Sequence, residues 1–551
     1  MPLSVTERKG FRFFCKSLQP LYHLPSEPTV TKRLRLKHDE LKALVSKMLG
    51  EAESISLTCD IWTHQSTMRS YLGVTAHFRD DIEIVGIELC CKHLTDRKNI
   101  PNLRASLREV CAEWGITYDK ISVVVSDGGA NIKGAIREEF GVLKHVTCIA
   151  HLINGVGQAA VGLDKYVVPS ERDRVEELPD NEDEIDDHDD DGTPENGEFL
   201  RGLIKKVKKI VRFFRQSEIA NSELLKIQSE RAGKPDHQCL RLIQEVRTRW
   251  NSCYQMLDRF LLLADHVSQV LLKIQREKSS KARPPNFPTG EELEALSEAR
   301  DLLKPLYQVT LEVSKEKSVT LSICIPLVAA MKRKTDAFVP TTPIGFNLKS
   351  TLQEEIKTKF SGIENLKPYT AATVLDPRFK TEGFSNSRNQ IQVKANATSY
   401  VGQLVAAEIN KGAVTLAEAL GAAEGEGPPA DGADDGLWAE FDSNVRAHAP
   451  LAHQDVAGGL PVEWRQYLNS SLAGRKENPN ALSVWKVMKD QYPHVYKVAM
   501  RHLCAMATSV PSERLFSHAG LIATQLRNRL SGKNLDMLVF LRSVPEKLWL
   551  T

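Results

Sequence analysis

No apolar run in this chain approaches ~20 residues, so a membrane span is not expected. The opening residues, Met1-Pro2-Leu3-Ser4-Val5-Thr6-Glu7-Arg8-Lys9, lack the apolar core of a secretory signal. Cysteine is sparse: ten thiols are scattered over 551 residues, with no dense framework and no Cys-x2-Cys followed by paired histidines. That excludes a disulfide scaffold and a complete zinc finger, and fits a reducing compartment, cytosol or nucleus. No structural zinc is expected. Charge of one sign is also missing. The net charge is +2, so any nucleic-acid surface must be local. Hydrophobic residues make up 42% and charged residues 26%, which permits a sizeable core. The length allows several domains, or one catalytic domain with a large insertion.

Residues 1–50 read as a helical, partly basic segment, with Leu34, Leu36, Leu41, Leu44, Val45 and Met48 at helical spacing. Strand-like runs follow at 55–62, 72–78 and 84–89, a meander with a polar turn at Arg79-Asp80-Asp81. Ile55, Leu57, Cys59 and Ile61 fall on one face of the first run; Ser56, Thr58 and Asp60 fall on the other. A helix with Leu103, Leu107, Val110, Cys111 and Trp114 on one face precedes the run Ile121 to Asp127, which is apolar on both faces like a buried parallel strand. A helix at 130–140, a short strand at 146–150 and a helix from His151 complete the order β-β-β-α-β-α-β-α. That order predicts an α/β fold with a mixed sheet, in which the first and fourth strands can be neighbours.

Residues 171–191 hold thirteen acids against two arginines, which reads as a disordered loop. Phe199 to Phe214 is an amphipathic helix whose lysines and arginines lie off the apolar stripe. They form either a solvated face or a phosphate-contacting one. Nearly everything from 200 to 410 is helix-like. Residues 411–460, rich in Gly, Ala, Pro and acids, read as a disordered insert. The expected division is therefore 1–50, a core at 51–165, an acidic loop at 171–198, a helical domain at 199–500, and a C-terminal region at 461–545 that completes the core from about 505.

Three acids stand out. Asp60 lies on the polar side of its strand, a place for a solvent-facing residue or for a ligand. Asp127 ends its strand just before Gly128-Gly129, where open α/β sheets place ligands and where an ordinary turn also fits. Glu513 opens a helix, where a negative charge also suits the dipole. Brought together, the three suit two divalent cations, Mg²⁺ or Mn²⁺, for phosphodiester chemistry. Cys148 and His151, spaced Cys-x2-His, supply half a zinc site at most. A buried thiol and a satisfied histidine, or a histidine on a phosphate, are the other readings. Arg249-Trp250 joins a cation to an aromatic ring; a core tryptophan and a base-stacking one both fit. The last helix, Ser531 to Leu541, is apolar around most of its circumference, so it must be covered on more than one side; one side can meet the sheet and the other a second subunit.

Six segments together resemble the hAT transposases and their domesticated relatives, the zinc finger BED domain-containing proteins. They are Thr58-Cys59-Asp60-Ile61-Trp62-Thr63, Ser126-Asp127-Gly128-Gly129-Ala130-Asn131, Cys148-Ile149-Ala150-His151, Arg249-Trp250-Asn251-Ser252, Leu375-Asp376-Pro377-Arg378-Phe379-Lys380 and Ser509 to Ser517. The resemblance implies a ribonuclease-H-like mixed-sheet core interrupted by a large all-α insertion domain. It implies a catalytic triad of Asp60, Asp127 and Glu513 holding two Mg²⁺ or Mn²⁺ ions, and a DNA-handling role for His151, Arg249 and Trp250. It further implies a homodimer or higher oligomer through residues 509–545, transposon-end and target DNA as partners, and a nuclear location. The alternative is a non-catalytic, dimeric, DNA-associated regulator. Family members commonly carry N-terminal BED fingers. This chain begins at the segment that normally follows them, which leaves sequence-specific targeting in question.

Overall fold

A computed structural model describes residues 3–64, 67–162, 196–233, 235–246, 250–276, 283–385, 390–423, 460–522 and 532–550. The acidic run 171–191, Arg249 and residues 424–459 lie outside these. The strand and helix periods of the sequence reappear as β1 (Ile55–His64), β2 (Arg69–Asp80), β3 (Glu83–Leu94), β4 (Ile121–Ser126) and β5 (His145–Thr147), with helices Ile100–Glu113, Ala130–Phe140 and Ile149–Ala160 between and after them. The sheet order is β3-β2-β1-β4-β5. The β1–β2 and β2–β3 pairs are antiparallel; β1–β4 and β4–β5 are parallel. The fold is therefore α/β with a mixed sheet, and the first and fourth strands are neighbours as the order of elements predicted.

By its contacts the chain forms two units. One comprises residues 1–149, 313–326 and 362–551; the other comprises 150–312 and 327–361. The helices from 362 onward thus group with the sheet, whereas sequence reading assigned 199–500 to one helical domain. Another difference concerns the expected insert at 411–460. Helix Gln390–Ala423 continues to Ala423, because Ala, Val and Leu predominate over glycine there.

In the sheet unit, the apolar face of β1 (Ile55, Leu57, Cys59) joins Val74, Ala76 and Phe78 of β2 in one core. Leu41, Val45 and Leu49 of helix Glu27–Glu51 cover it, with Leu103 and Leu107, and Ile132, Ala135 and Ile136. The final long helix, Gly532–Ser543, is buried on two sides by its own chain. Met537, Phe540 and Leu541 enter this core, while Leu535 and Val539 enter a smaller cluster with Tyr71, Cys91, Leu515 and Phe516. This corrects the expectation that its second apolar side awaits another subunit. The same helix covers the sheet edge: Asp536 Oδ1 accepts from the Cys91 amide at 2.6 Å, and Ser543 Oγ from the Glu88 amide at 3.0 Å. At the opposite edge the Tyr369 hydroxyl donates to the Thr147 carbonyl at 3.0 Å.

The segment Leu375 to Lys380 is a structural clamp. Asp376 is fully buried; it accepts from Ser322 Oγ at 2.7 Å and from Arg378 Nε and Nη2 at 2.9 and 2.7 Å. Lys380 is buried and donates to the Tyr467 and Ser470 carbonyls, both at 2.6 Å, closing the end of helix Val462–Asn469. Burial lowers its pKa to about 8. Its backbone φ of 44° is held there by these bonds.

The helical unit is built from amphipathic helices. In Asn196–Gln216, Leu203, Ile204, Val207, Ile210, Val211 and Phe214 are buried. Trp250, which opens helix Trp250–Leu262, is 1% exposed. Its ring lies flat against Gly157; a Cβ at that glycine would sit 2.3 Å from Trp250 Cδ2, so only glycine admits the indole.

A charged pair this deeply placed is costly to break. Asp376→Ala is expected to destabilise the sheet unit by about 3–5 kcal/mol, since it strands Arg378 in the interior. Urea unfolding followed by tryptophan fluorescence measures this. A change below about 1 kcal/mol, the range of exposed pairs, would show the clamp to be dispensable.

Candidate functional site

The face of β1 that carries Asp60, taken with the residue just before the strand, reads Ser54, Ser56, Thr58, Asp60, Trp62, every second residue. It is not a solvent face: Ser56 and Thr58 are both fully buried. Each hydroxyl fastens the chain near its C-terminal end. Ser54 Oγ donates to the Arg501 carbonyl at 3.0 Å, and Ser56 Oγ accepts from the Met506 amide at 3.2 Å. Thr58 Oγ1 is hydrogen-bonded to Ser512 Oγ at 2.6 Å. Two positions beyond Asp60, Trp62 stacks on Phe516 with centroids 5.6 Å apart. The strand and the segment 501–516 therefore run alongside each other, and Asp60 falls between the Ser512 and Phe516 contacts, where helix Val510–Ile522 carries Glu513.

Asp127 arrives from the other side. Thr58 of β1 is level with Val125 of β4, so Asp60 and Asp127 each lie two positions past a matched pair. Residues level in a parallel pair project to the same face. Both carboxylates act on one thiol: burial chiefly raises the Cys59 pKa, and the charges of Asp60 and Asp127 raise it further. Asp60, Asp127 and Glu513 are all half-exposed.

The donor chemistry suits Mg²⁺ or Mn²⁺, which prefer carboxylate oxygen. The side chains are turned to local partners, however. Asp60 Oδ1 accepts from the Ile61 amide at 2.8 Å and Asp127 Oδ1 from the Gly129 amide at 3.1 Å. Among the described residues no three His, Cys, Asp or Glu side chains form a group placed to hold a metal ion. The backbone thus brings the three elements to one region.

Cys148 serves this arrangement as an anchor. It is buried, its amide donates to the Ser126 carbonyl at 2.8 Å, and its Sγ accepts from the Ser509 amide at 3.2 Å, one residue before the Glu513 helix. The Ile149 amide donates to the Ala507 carbonyl at 3.0 Å. The motif's cysteine therefore ties the end of β4 to the start of that helix. His151 is half-buried and belongs by its contacts to the helical unit. Trp250 is a core residue, so no face of its ring is open to a base in this structure.

Sequence reading missed the glycine that makes the docking possible. Gly73 of β2 is level with Asp60, and a Cβ there would lie 2.7 Å from Phe516 Cζ and 3.3 Å from Leu515 Cδ2. It also missed a buried relay. Thr58 Oγ1 contacts Thr75 Oγ1 at 2.6 Å, and Thr75 Oγ1 contacts His77 Nε2 at 2.8 Å. Burial lowers the His77 pKa to about 4, so that ring is neutral. On β3, Glu88 Oε1 lies 3.1 Å from His518 Nδ1. Burial raises Glu88 to about 8 and lowers His518, so at neutral pH this contact is a neutral O–H···N hydrogen bond rather than an ion pair.

Comparison with known proteins agrees with this architecture. Residues 463–544 match the hAT family C-terminal dimerisation region, and residues 146–299 match the ZBED1 RNase-like helical domain. Over 98% of its length the chain is 24% identical to zinc finger BED domain-containing protein 4 of Homo sapiens, covering 42% of that protein. It is 22% identical to an AC-transposase-type protein of Zea mays, over 98% of this chain and 62% of the relative. Over 24% of the chain it is 26% identical to the transposable element Hobo transposase of Drosophila melanogaster. The chain is thus hAT-transposase-like and ZBED-like along nearly its whole length, and it spans roughly half the length of the first two relatives. Among the described residues no helix is long and apolar enough to cross a membrane.

Gly73→Val is expected to push Phe516 and Leu515 off the sheet and to cost about 1–3 kcal/mol, with Gly73→Ala milder. Placing Gly73→Ala in a Phe516→Ala background should recover most of the loss. Non-additivity in that double-mutant cycle is the readout, and strict additivity would show that the ring does not need the glycine. Glu88→Gln removes a carboxyl whose folded pKa lies above its unfolded value. The parent's stability from this group is complete below about 4.5 and is lost as pH rises through 8. The variant should therefore gain on the parent between those values, measured by unfolding at stepped pH. A difference that does not change with pH would contradict the burial of this acid.

Proposed function

We propose that this protein is a DNA-handling, hAT-type nuclease and strand-transfer protein. It acts as a homodimer in the nucleus, with Asp60, Asp127 and Glu513 holding two Mg²⁺ or Mn²⁺ ions in a ribonuclease-H-like core. The observation that carries the reading is the pinning of the Glu513 helix to β1, through Thr58–Ser512 on one side of Asp60 and Trp62–Phe516 on the other. With Asp127 two positions past the matched pair on β4, acids far apart in sequence come from three adjoining elements.

Two divalent ions, when bound, activate the attacking oxygen and stabilise the leaving one in an in-line displacement. The chain's own part is positional. Asp60 and Asp127 would hold the ions through their carboxylate oxygens, on backbone that β1 and β4 place level with each other. Glu513 sits in the first turn of its helix, where a carboxylate suits the positive end of the dipole. The neutral Thr58–Thr75–His77 relay behind Asp60 adds no charge to compete with the ions.

A second reading, a dimeric DNA-associated regulator without cleavage, is favoured by the turned carboxylates, which form no three-residue donor group as they stand. The relatives include ZBED proteins and transposases alike. Nicking separates the two. The intact chain, given duplexes ending in the terminal repeats of its own genomic locus and Mn²⁺, should nick them, and Asp60→Asn should lower the rate by at least about 10²-fold. Absence of nicking, together with unaltered Mn²⁺ binding in Asp60→Asn by calorimetry, would leave the regulator.

A further inference from the structure

The Lys-rich helix Asn196–Gln216 carries a second surface. Its two half-buried lysines are neutralised locally: Lys206 pairs with Glu292 at 2.6 Å and Lys208 with Glu245 at 2.8 Å. Lys205, Lys209 and Arg212 are exposed, and among the described residues they make no ion pair. At 3.6 residues per turn these three fall within an arc of about 60° and span about 10 Å of axis. The buried row of Leu203, Val207, Ile210 and Phe214 lies opposite, so the stripe cannot turn inward without unpacking the unit.

An unpaired row of cations set apart from two paired ones is free to meet an external anion. Protein interfaces are anchored by apolar and aromatic side chains and are poor in lysine. This arc offers no apolar anchor. A phosphodiester strand needs none, because binding comes from release of condensed counterions and each strand presents a charge per about 3.4 Å of duplex axis. The stripe's length matches about three phosphates of one strand.

We propose that Lys205, Lys209 and Arg212 form a sequence-independent contact for a nucleic-acid backbone on the helical unit. It rests on different residues from the carboxylate site and requires no metal. The inference deepens the DNA-handling reading, and its test is independent of cleavage. The full chain is titrated in EDTA against a fluorescent 20-bp duplex of mixed sequence over a series of salt concentrations. In Lys205→Gln/Lys209→Gln/Arg212→Gln the slope of log affinity against log salt should be smaller in magnitude by about 2.7, at 0.9 per phosphate lost, with equal weakening on an unrelated duplex. A control lacking the exposed Lys47, Lys476 and Lys489 of the sheet unit should keep the parental slope. The charge-preserving Lys205→Arg/Lys209→Arg should keep it too. A parental slope in the triple variant, or an equal drop in the control, overturns the proposal. Retention of the parental melting temperature by the triple variant excludes misfolding as the cause.

Discussion

The carboxylate region depends on one register. Four side chains at alternate positions of a single strand, Ser54, Ser56, Thr58 and Trp62, grip residues 501–516 at successive points. Buried hydroxyls without partners would each cost about 1–3 kcal/mol, so sliding the segment against the strand carries a penalty at several points at once. That is how a chain can leave the sheet after residue 149, build a helical unit, and return with Glu513 in one place. The returning segment is gripped on its other side as well: the Ala507 amide donates to Thr320 Oγ1 at 3.0 Å, and the Ser509 amide to Cys148.

The same register sets the electrostatics. Two like charges beside one another on neighbouring strands repel, and Cys59, between their positions on the opposite face, feels both. The protein limits that repulsion by leaving Asp60 and Asp127 half-exposed and giving each a backbone amide. Behind them His77 is deprotonated by burial, and the Glu88–His518 pair holds no net charge at neutral pH.

Much of the sheet was legible in the sequence because its signals are local. The two-residue alternation of Ile55, Leu57 and Cys59, the doubly apolar Val123-Val124-Val125 and the intervening helical periods name strands and helices without distant information. The polar face of β1 was legible as polar but not as buried, since nothing near Ser56 or Thr58 reveals that residues 506 and 512 will bond to them. Gly73 was invisible for the same reason: its meaning lies in Phe516. The last helix looked half-vacant because a sequence shows an apolar circumference without showing that two clusters of its own chain occupy it. The boundary at 361 escaped because helices lie on both sides of the short Ser361-Gly362 break, so the change of packing partner brings no change of period.

The covering of the sheet's margins has a consequence for assembly. Outward amides of β3 are spent on Asp536 and Ser543, and the Thr147 carbonyl of the short β5 is spent on Tyr369. Two copies of this chain therefore cannot join by extending one sheet into another at these bonds without first giving them up. Growth into open-ended fibrils by the same route is equally disfavoured. Among the described residues, helical surfaces stay available for a closed, two-fold partnership, in which the number of subunits is set by shape rather than by the indefinite repeat of a backbone ladder.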